Sequence, residues 1–281
     1  MMFPGARSSS QIQYEKELNP QQLAVVKAPE GPMLVIAGAG SGKTRVVTYR
    51  VAHLIESGVN PGNILLVTFT NKAAREMLHR VQMLIPAAGG VGGKVWGGTF
   101  HHIGNRILRR HAPLLGFQPN YTILDREDVK SLVDSCLADL KLNPHGSHFP
   151  RREVLEDLAG LSVNTDRAIE ELVAERYPFF LPQLDDIRAV LSRYRERKRE
   201  TNAMDFDDLL FYWKKLLLEN PDLRLRYGEQ FHHILVDEYQ DTNRIQAEIV
   251  DLLAERHGNI MVVGDDSQSI YSFRGANFAN I

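Results

Sequence analysis

Five short apolar runs punctuate the chain: MLVIA (33–37), ILLVTF (64–69), VWGGTF (95–100), ILVD (234–237) and IMVVGD (260–265). They are apolar throughout rather than alternating, the pattern of parallel strands covered on both faces. Helical patterns lie between most of them, one from about 44 to 57 ending at Gly58 and one from about 71 to 85 stopping at Pro86. Asn19-Pro20 supplies an N-cap and a first-turn proline for an opening helix. Strands alternating with helices predict an open α/β sheet. The rhythm breaks between about 112 and 202, where helical stretches near 126–142, 151–160, 165–176 and 183–200 are separated by the loops KLNPHGSHFP and RYPFFLP. This interval reads as an all-helical subdomain inserted between the third and fourth strands. The core is then discontinuous, 17–111 with 203–281, and residues 1–16 are expected to be a flexible N-terminus.

Composition adds little to this picture. The 281 residues, 43% apolar and 24% charged, suit a globular protein of one large domain or two modest ones. A single cysteine, Cys136, excludes an internal disulfide framework and fits a reducing compartment; Val129, Leu132, Val133, Leu137 and Leu140 around it mark it as a core position. The N-terminus has no secretion-signal core and no apolar run is long enough to span a bilayer, so a soluble, cytoplasmic protein is expected. His145 and His148 form an H-x-x-H without further ligand spacing and read as two loop histidines.

Charge matters through its distribution. The net charge is only −2, yet between Phe69 and His111 seven basic residues (Lys72, Arg75, Arg80, Lys94, Arg106, Arg109, Arg110) face one acid, Glu76. A second basic cluster is RYRERKR (193–199), while acids gather near 205–208, 237–241 and 265–266. Separation of the two signs by segment suggests a basic stripe for a phosphate backbone.

AGAGSGKT (37–44) follows an apolar run and opens a helix. It matches the phosphate-loop pattern G-x-x-x-x-G-K-[ST] except that Ala37 stands at the first position. Ala39, Gly40, Ser41 and Gly42 would turn backbone N–H groups onto phosphate oxygens at a helix N-terminus. Lys43 would reach the β- and γ-phosphates and Thr44 would give its hydroxyl to Mg²⁺. A glycine-rich turn alone would not account for GKT at the helix start. ILVDEYQD (234–241) supplies the matching acidic strand end, with Asp237 for Mg²⁺ and Glu238 as general base for a water.

Together these motifs resemble the Rep/UvrD/PcrA-type superfamily 1 DNA helicases. In the family's order the chain carries LNPQQ (18–22), AGAGSGKT, TFTNKAAREM (68–77), GTFHHIGNRILRRH (98–111), MDFDDLL (204–210), VDEYQDTN (236–243) and GDDSQSIYSFRGA (264–276). Their compact spacing is more similar to the smaller enzymes than to a RecB-type helicase–nuclease subunit. The resemblance implies a P-loop NTPase, RecA-like sheet that uses ATP and Mg²⁺ and binds single-stranded DNA. It implies that Gln22 reads the adenine edge and Arg45 packs on the base. Phe69 would help form a base pocket, with Thr70 and Asn71 near the DNA backbone and Thr99 and His101 on its phosphates. Gln268 would sense the γ-phosphate, Tyr271 and Phe273 would stack on bases, and Arg274 would add charge. The family has Trp where this chain has Phe273, which offers less stacking area.

The family's motor comprises two such domains, and its arginine fingers lie in the second. The expectation is an N-terminal motor domain of a 3′–5′ ATP-dependent DNA helicase that is weakly active alone. Expected partners are single strands, 3′-tailed duplexes and proteins of DNA repair or replication, in a bacterial cytoplasm at the nucleoid. The alternative is a stand-alone, nucleotide-gated single-stranded DNA-binding module without turnover.

Overall fold

The computed structural model describes residues 12–38, 40–85, 94–142 and 149–265. Seven strands occur among them: β1 (Met33–Ile36), β2 (Ile64–Thr68), β3 (Trp96–Thr99), β4 (Thr122–Ile123), β5 (Ala203–Met204), β6 (His233–Val236) and β7 (Ile260–Gly264). The five longer ones are the five apolar runs of the sequence. They form one wholly parallel sheet in the order β1-β7-β6-β2-β3. Helices are α1 (Tyr14–Glu17), α2 (Pro20–Val26), α3 (Lys43–Glu56), α4 (Asn71–Leu84), α5 (Phe100–His111), α6 (Arg126–Asp139), α7 (Arg152–Thr165), α8 (Ile169–Arg176), α9 (Leu184–Glu200), α10 (Phe206–Glu219), α11 (Pro221–Gln230) and α12 (Arg244–Ala254).

Strand side chains alternate between two cores, as a period of two requires. Ile64 and Leu66 of β2, Leu235 of β6 and Met261 and Val263 of β7 pack with α3 and α4. Leu65, Val67, Ile234 and Val236 pack on the other face with α5, α10 and α12. There α10 lies close on α5, because a Cβ at Gly104 would come within 3.1 Å of the Trp213 ring. The expectation of strands covered on both faces holds for β2 and β6 but not for β1. β1 has β7 as its neighbour on one side only, and Leu34 and Ile36 are 47% and 58% exposed. Apolar composition alone cannot distinguish an interior strand from one whose second face lacks a covering helix.

The N-terminal segment is ordered further forward than expected. Ile12 and Tyr14 are buried, Tyr14 Oη donates to Glu56 at 2.7 Å, and Tyr49 Oη donates to Glu17 at 2.5 Å. Residues 12–16 are therefore packed on α3, a correction to the flexible assignment. Two tyrosine–carboxylate hydrogen bonds to α3, Tyr14 to Glu56 and Tyr49 to Glu17, hold the segment, contacts that local periodicity does not register.

Helices α6 to α9 enclose a third core of their own, including Cys136, Leu155, Leu158, Val190 and Leu191. Its boundary falls later than residue 112: Ala112, Leu115, Phe117 and Tyr121 belong to the core against β3 and α10. The segments leading into and out of the helical unit pair with each other as β4 and β5, with Thr122 N donating to Asn202 O at 3.0 Å and Leu124 N to Met204 O at 2.8 Å. Beside this clip Lys198 of α9 is buried between Asp205 and Asp208, 2.6 Å from each. Those two acids also form the capping box of α10. Asn164 of α7 donates to Asp207 at 2.9 Å and accepts from Asn243 at 2.8 Å, joining the helical unit to α10 and α12. Among the described residues no helix is long and apolar enough to cross a membrane.

Removing one partner of a buried ion pair leaves uncompensated charge and costs roughly 3–5 kcal/mol. Lys198→Met is therefore expected to lower unfolding stability by about that amount, read as a drop in the urea midpoint. An unchanged midpoint would show that Asp205 and Asp208 are held without the lysine.

Candidate functional site

The carboxyl ends of β1, β6 and β7 converge at one edge of the sheet, and the loop after β1 turns there into α3. Gly40 (φ +73°) and Gly42 (φ +87°) adopt left-handed backbone, and a Cβ at Gly42 would lie 2.8 Å from Gln22 Nε2. Both conditions call for glycine. Gln22 Nε2 donates to Ser41 O at 2.9 Å, while its Oε1 accepts from Asn19 N at 3.2 Å. Gln22 thus braces the loop, and both ends of its amide are already engaged. Arg45 is exposed, donates to Glu17 O at 2.7 Å and lies 5.2 Å from the Tyr49 ring centre.

Lys43 is buried at the first position of α3. Its ammonium lies 3.4 Å from Asp265 and 3.8 Å from Glu238. Thr44 Oγ1 donates to Asp237 Oδ2 at 3.5 Å. Asp237 is only 3% exposed, and its Oδ1 has no hydrogen-bond partner among the described residues. Burial, together with the adjacent Glu238 carboxylate, pushes the Asp237 carboxyl up to about 6. A threonine hydroxyl beside a buried, under-satisfied carboxylate is a hard oxygen donor set, which fits Mg²⁺.

Glu238 itself has left-handed backbone (φ +54°), which costs a side-chain-bearing residue roughly 1–2 kcal/mol. That turn carries its carboxylate back over the strand end, where Gln240 Nε2 donates to it at 2.7 Å. The other end of the Gln240 amide accepts from Asp265 N at 3.0 Å. Gln240 therefore ties the ends of β6 and β7 together. Sequence reading assigned no role to Gln240 or Asp265, although both sit inside quoted motifs. The signal is their position, four residues past the end of β6 and one past the end of β7.

A cavity of about 200 Å³ runs from Asp237 and Glu238 to Phe69, Thr99 and His101 at the ends of β2 and β3. Thr70 and Thr99 are N-caps: Thr70 Oγ1 accepts from Ala73 N at 3.1 Å and Thr99 Oγ1 from His102 N at 3.2 Å. Asn71 is exposed at the first position of α4. Two helix N-termini, those of α4 and α5, therefore open beside one another. His101 is largely buried, and burial pushes its imidazole down to about 4. It is neutral at pH 7, a hydrogen-bonding group and not a cation. Its ring stands edge-on to Phe206, 5.9 Å away, and Phe206 is 55% exposed. Phe206 was quoted within MDFDDLL but given no role. Phe69, His101 and Phe206 share the wall of a second, larger cleft of about 1250 Å³ between the sheet domain and the helical unit.

The continuous basic stripe expected between Phe69 and His111 does not form. Lys72 and Arg75 are exposed on the first turns of α4, near this edge. Arg106 and Arg110 instead lie over the Trp96 ring at 3.6 and 5.2 Å, and Arg109 over the Tyr121 ring at 3.8 Å. Arg109 and Arg110 occupy the last turn of α5 and Arg106 its middle, each carried away from the helix N-terminus. The 193–199 cluster is likewise engaged internally, with Arg193 and Arg197 on Asp139 and Lys198 on Asp205 and Asp208. Ala39, Gln268, Tyr271, Phe273 and Arg274 lie outside the described residues, as do His145 and His148.

Residues 18–281 match the family model of the UvrD/REP helicase N-terminal domain. The chain is similar to the ATP-dependent DNA helicase PcrA of Leuconostoc citreum, 40% identical over 275 residues that cover 94% of this chain and 34% of the relative. It is similar at the same identity to proteins of that name from Staphylococcus aureus strain Mu50 (94% and 35% covered) and Staphylococcus epidermidis (95% and 35%). It spans about a third of the length of these curated relatives. With the loop after β1, the acidic end of β6 and the matched sequence all pointing the same way, the chain belongs to the UvrD/REP helicase family, through its N-terminal domain.

Proposed function

We propose that this chain is the ATP- and DNA-binding motor domain of an ATP-dependent DNA helicase that moves 3′ to 5′ along single-stranded DNA. The observation that carries the reading is the buried group Lys43, Asp237 and Asp265 with the part-exposed Glu238 beside it, and a cavity leading from Asp237 and Glu238 to Phe69, Thr99 and His101. Lys43 would exchange its carboxylate contacts for the β- and γ-phosphates, helped by the N–H groups of Gly40 to Lys43. Thr44 and Asp237 would hold Mg²⁺, which when bound neutralises charge on the phosphates. Glu238 would take a proton from water as its oxygen bonds to the γ-phosphorus and the bond to ADP breaks. Gln268 is assigned to sensing the γ-phosphate, and Tyr271, Phe273 and Arg274 to unstacked bases. Nucleotide would disengage Gln22 from Ser41 to reach the adenine edge, and would draw Arg45 from Tyr49 onto the base.

On the nucleic-acid side, phosphates would sit at the N-termini of α4 and α5, near Thr70, Asn71 and Thr99. Phe69 and Phe206 would offer rings to bases. A neutral His101 would contribute a hydrogen bond there. Because nucleotide and strand would meet across one small cavity, a change at Glu238 can reach the strand through Phe69 and His101. Strand separation is assigned to 3′-tailed duplexes.

The nucleotide assignment is tested by titrating a fluorescent ATP analogue with Mg²⁺. Hydrogen bonds to charged groups are worth roughly 1.5–3 kcal/mol, so Lys43→Ala should weaken binding about 10- to 100-fold. Equal affinity would remove the loop after β1 from the site.

The raised Asp237 carboxyl gives a second outcome. Below about pH 6 Asp237 holds a proton that Mg²⁺ must displace, so Mg²⁺-dependent affinity should fall as pH drops through 6. Proton release, read calorimetrically in buffers of different ionisation enthalpy, should accompany binding near pH 6 and be reduced in Asp237→Asn, the remainder coming from the nucleotide's terminal phosphate and from Asp241, also raised to about 6. Proton release unaltered in Asp237→Asn would assign it to another group.

For DNA, single-strand affinity should fall with salt, and Lys72→Gln and Arg75→Gln should each reduce the salt slope by about one. Arg106→Gln should leave the slope unchanged. The reverse result would return the α5 arginines to the binding face.

A further inference from the structure

At the opposite edge of the sheet, the amino ends of β1, β6 and β7 bring together Glu30, His232 and His233. One carboxylate oxygen and one ring nitrogen from each histidine all lie within 4.8 Å of one another. Glu30 Oε1 is 3.6 Å from His233 Nε2, and Glu30 Oε2 is 3.9 Å from His232 Nε2. His233 is 4% exposed, and its Nε2 has no hydrogen-bond partner among the described residues. A buried imidazole nitrogen left unsatisfied is uncommon and costs free energy.

Two of the three donor groups now share the Asn259 amide, which an incoming ion would displace. Asn259, just before β7, donates its Nδ2 to Glu30 Oε2 at 3.4 Å and to His232 Nε2 at 3.2 Å. A carboxylate can only accept, so the amide nitrogen must face the cluster and His232 Nε2 must carry a lone pair. The neighbouring His257 has both ring nitrogens engaged, Nδ1 with Asn259 N at 3.0 Å and Nε2 with Gly228 O at 3.1 Å. Arg50 of α3 donates to Val26, Ala28 and Pro29 carbonyls and so fixes the segment that delivers Glu30.

We propose that Glu30, His232 and His233 form a binding site for a divalent transition-metal ion of the zinc class. Two imidazoles and one carboxylate are a donor set for zinc and its neighbours rather than for magnesium. Bond lengths near 2.1 Å put tetrahedral donors about 3.4 Å apart. The two Glu30 contacts, each through its own oxygen, are within about half an ångström of this, and the triangle through one oxygen is bounded by 4.8 Å, so the donors must draw together to hold an ion. Glu30 and His232 are 60% and 44% exposed in their side chains and can close that gap, while buried His233 serves as the fixed donor. The ion would clasp the starts of β1 and β6, whose other ends carry the proposed phosphate loop and Asp237.

The test is zinc titration of the 281-residue chain by calorimetry, in excess Mg²⁺ so that Thr44 and Asp237 are not counted, with cobalt absorption as a second readout. The expected result is one zinc ion per chain, at least tenfold weaker binding in Glu30→Gln and in His232→Ala, and a zinc-dependent rise in Tm that both variants lose. Lys43→Ala and a His145→Ala/His148→Ala double variant should bind zinc as the parent does. Because both test positions are at least partly exposed, folding of the variants is checked by circular dichroism. Absence of zinc binding in the parent, or binding unchanged in Glu30→Gln and His232→Ala, would overturn the assignment.

Discussion

A lysine ammonium in the protein interior needs carboxylates around it, and the arrangement of the whole sheet answers to that need at Lys43. An isolated buried charge is far too costly to keep. Asp265, at the end of β7, lies 222 positions along the chain from Lys43, and Glu238 reaches it from the end of β6. Only a parallel sheet with β1, β7 and β6 side by side brings all three strand ends to one edge. Gln240 then fixes the spacing by bonding to both the Glu238 side chain and the Asp265 backbone. In the proposed function the same acids that shelter the ammonium surrender it to phosphate oxygens, so the stabilising contact and the proposed binding site are one feature.

The helical unit is attached by the same kind of interaction. Lys198 is enclosed by Asp205 and Asp208, and the two chain crossings beside it are clipped together as β4 and β5. Because Asp205 also caps α10, the ion pair positions the helix that starts at Phe206. The wall of the larger cleft, where Phe206 meets His101, therefore depends on a lysine at the end of α9. The helical unit keeps its own apolar core, so its internal order is separate from this attachment.

Charge along the chain proved a poor guide to charge on the surface. Arg106, Arg109 and Arg110 crowd one sequence interval with Lys72 and Arg75, yet the three α5 arginines pack on Trp96 and Tyr121. Arginine stacks readily on aromatic faces, and its stem is an apolar surface in its own right. Arg106 and Arg110 stay exposed while stacked, so what separates them from Lys72 and Arg75 is their place along α5 and not burial.

The strands, the glycine-rich turn into α3 and the acidic strand end were all legible from sequence alone. Each depends on short-range chemistry: an apolar run of strand length, glycines where left-handed backbone is required at Gly40 and Gly42, and carboxylates following ILV at Asp237 and Glu238. The helical insertion was legible too, because it interrupts a regular rhythm, though its first residues belong to the sheet core. What the tertiary structure decided is which polar groups meet. Sequence could not show that Gln22 braces Ser41, that Gln240 joins Glu238 to Asp265, or that Tyr14 and Glu17 anchor the N-terminal segment to α3. Nor could it show that β1 lies bare on one face, or that Glu30 meets His232 and His233. Periodicity reports which side of an element is buried. Partners more than two hundred positions apart are set by strand order, and strand order emerges only when the whole sheet has formed.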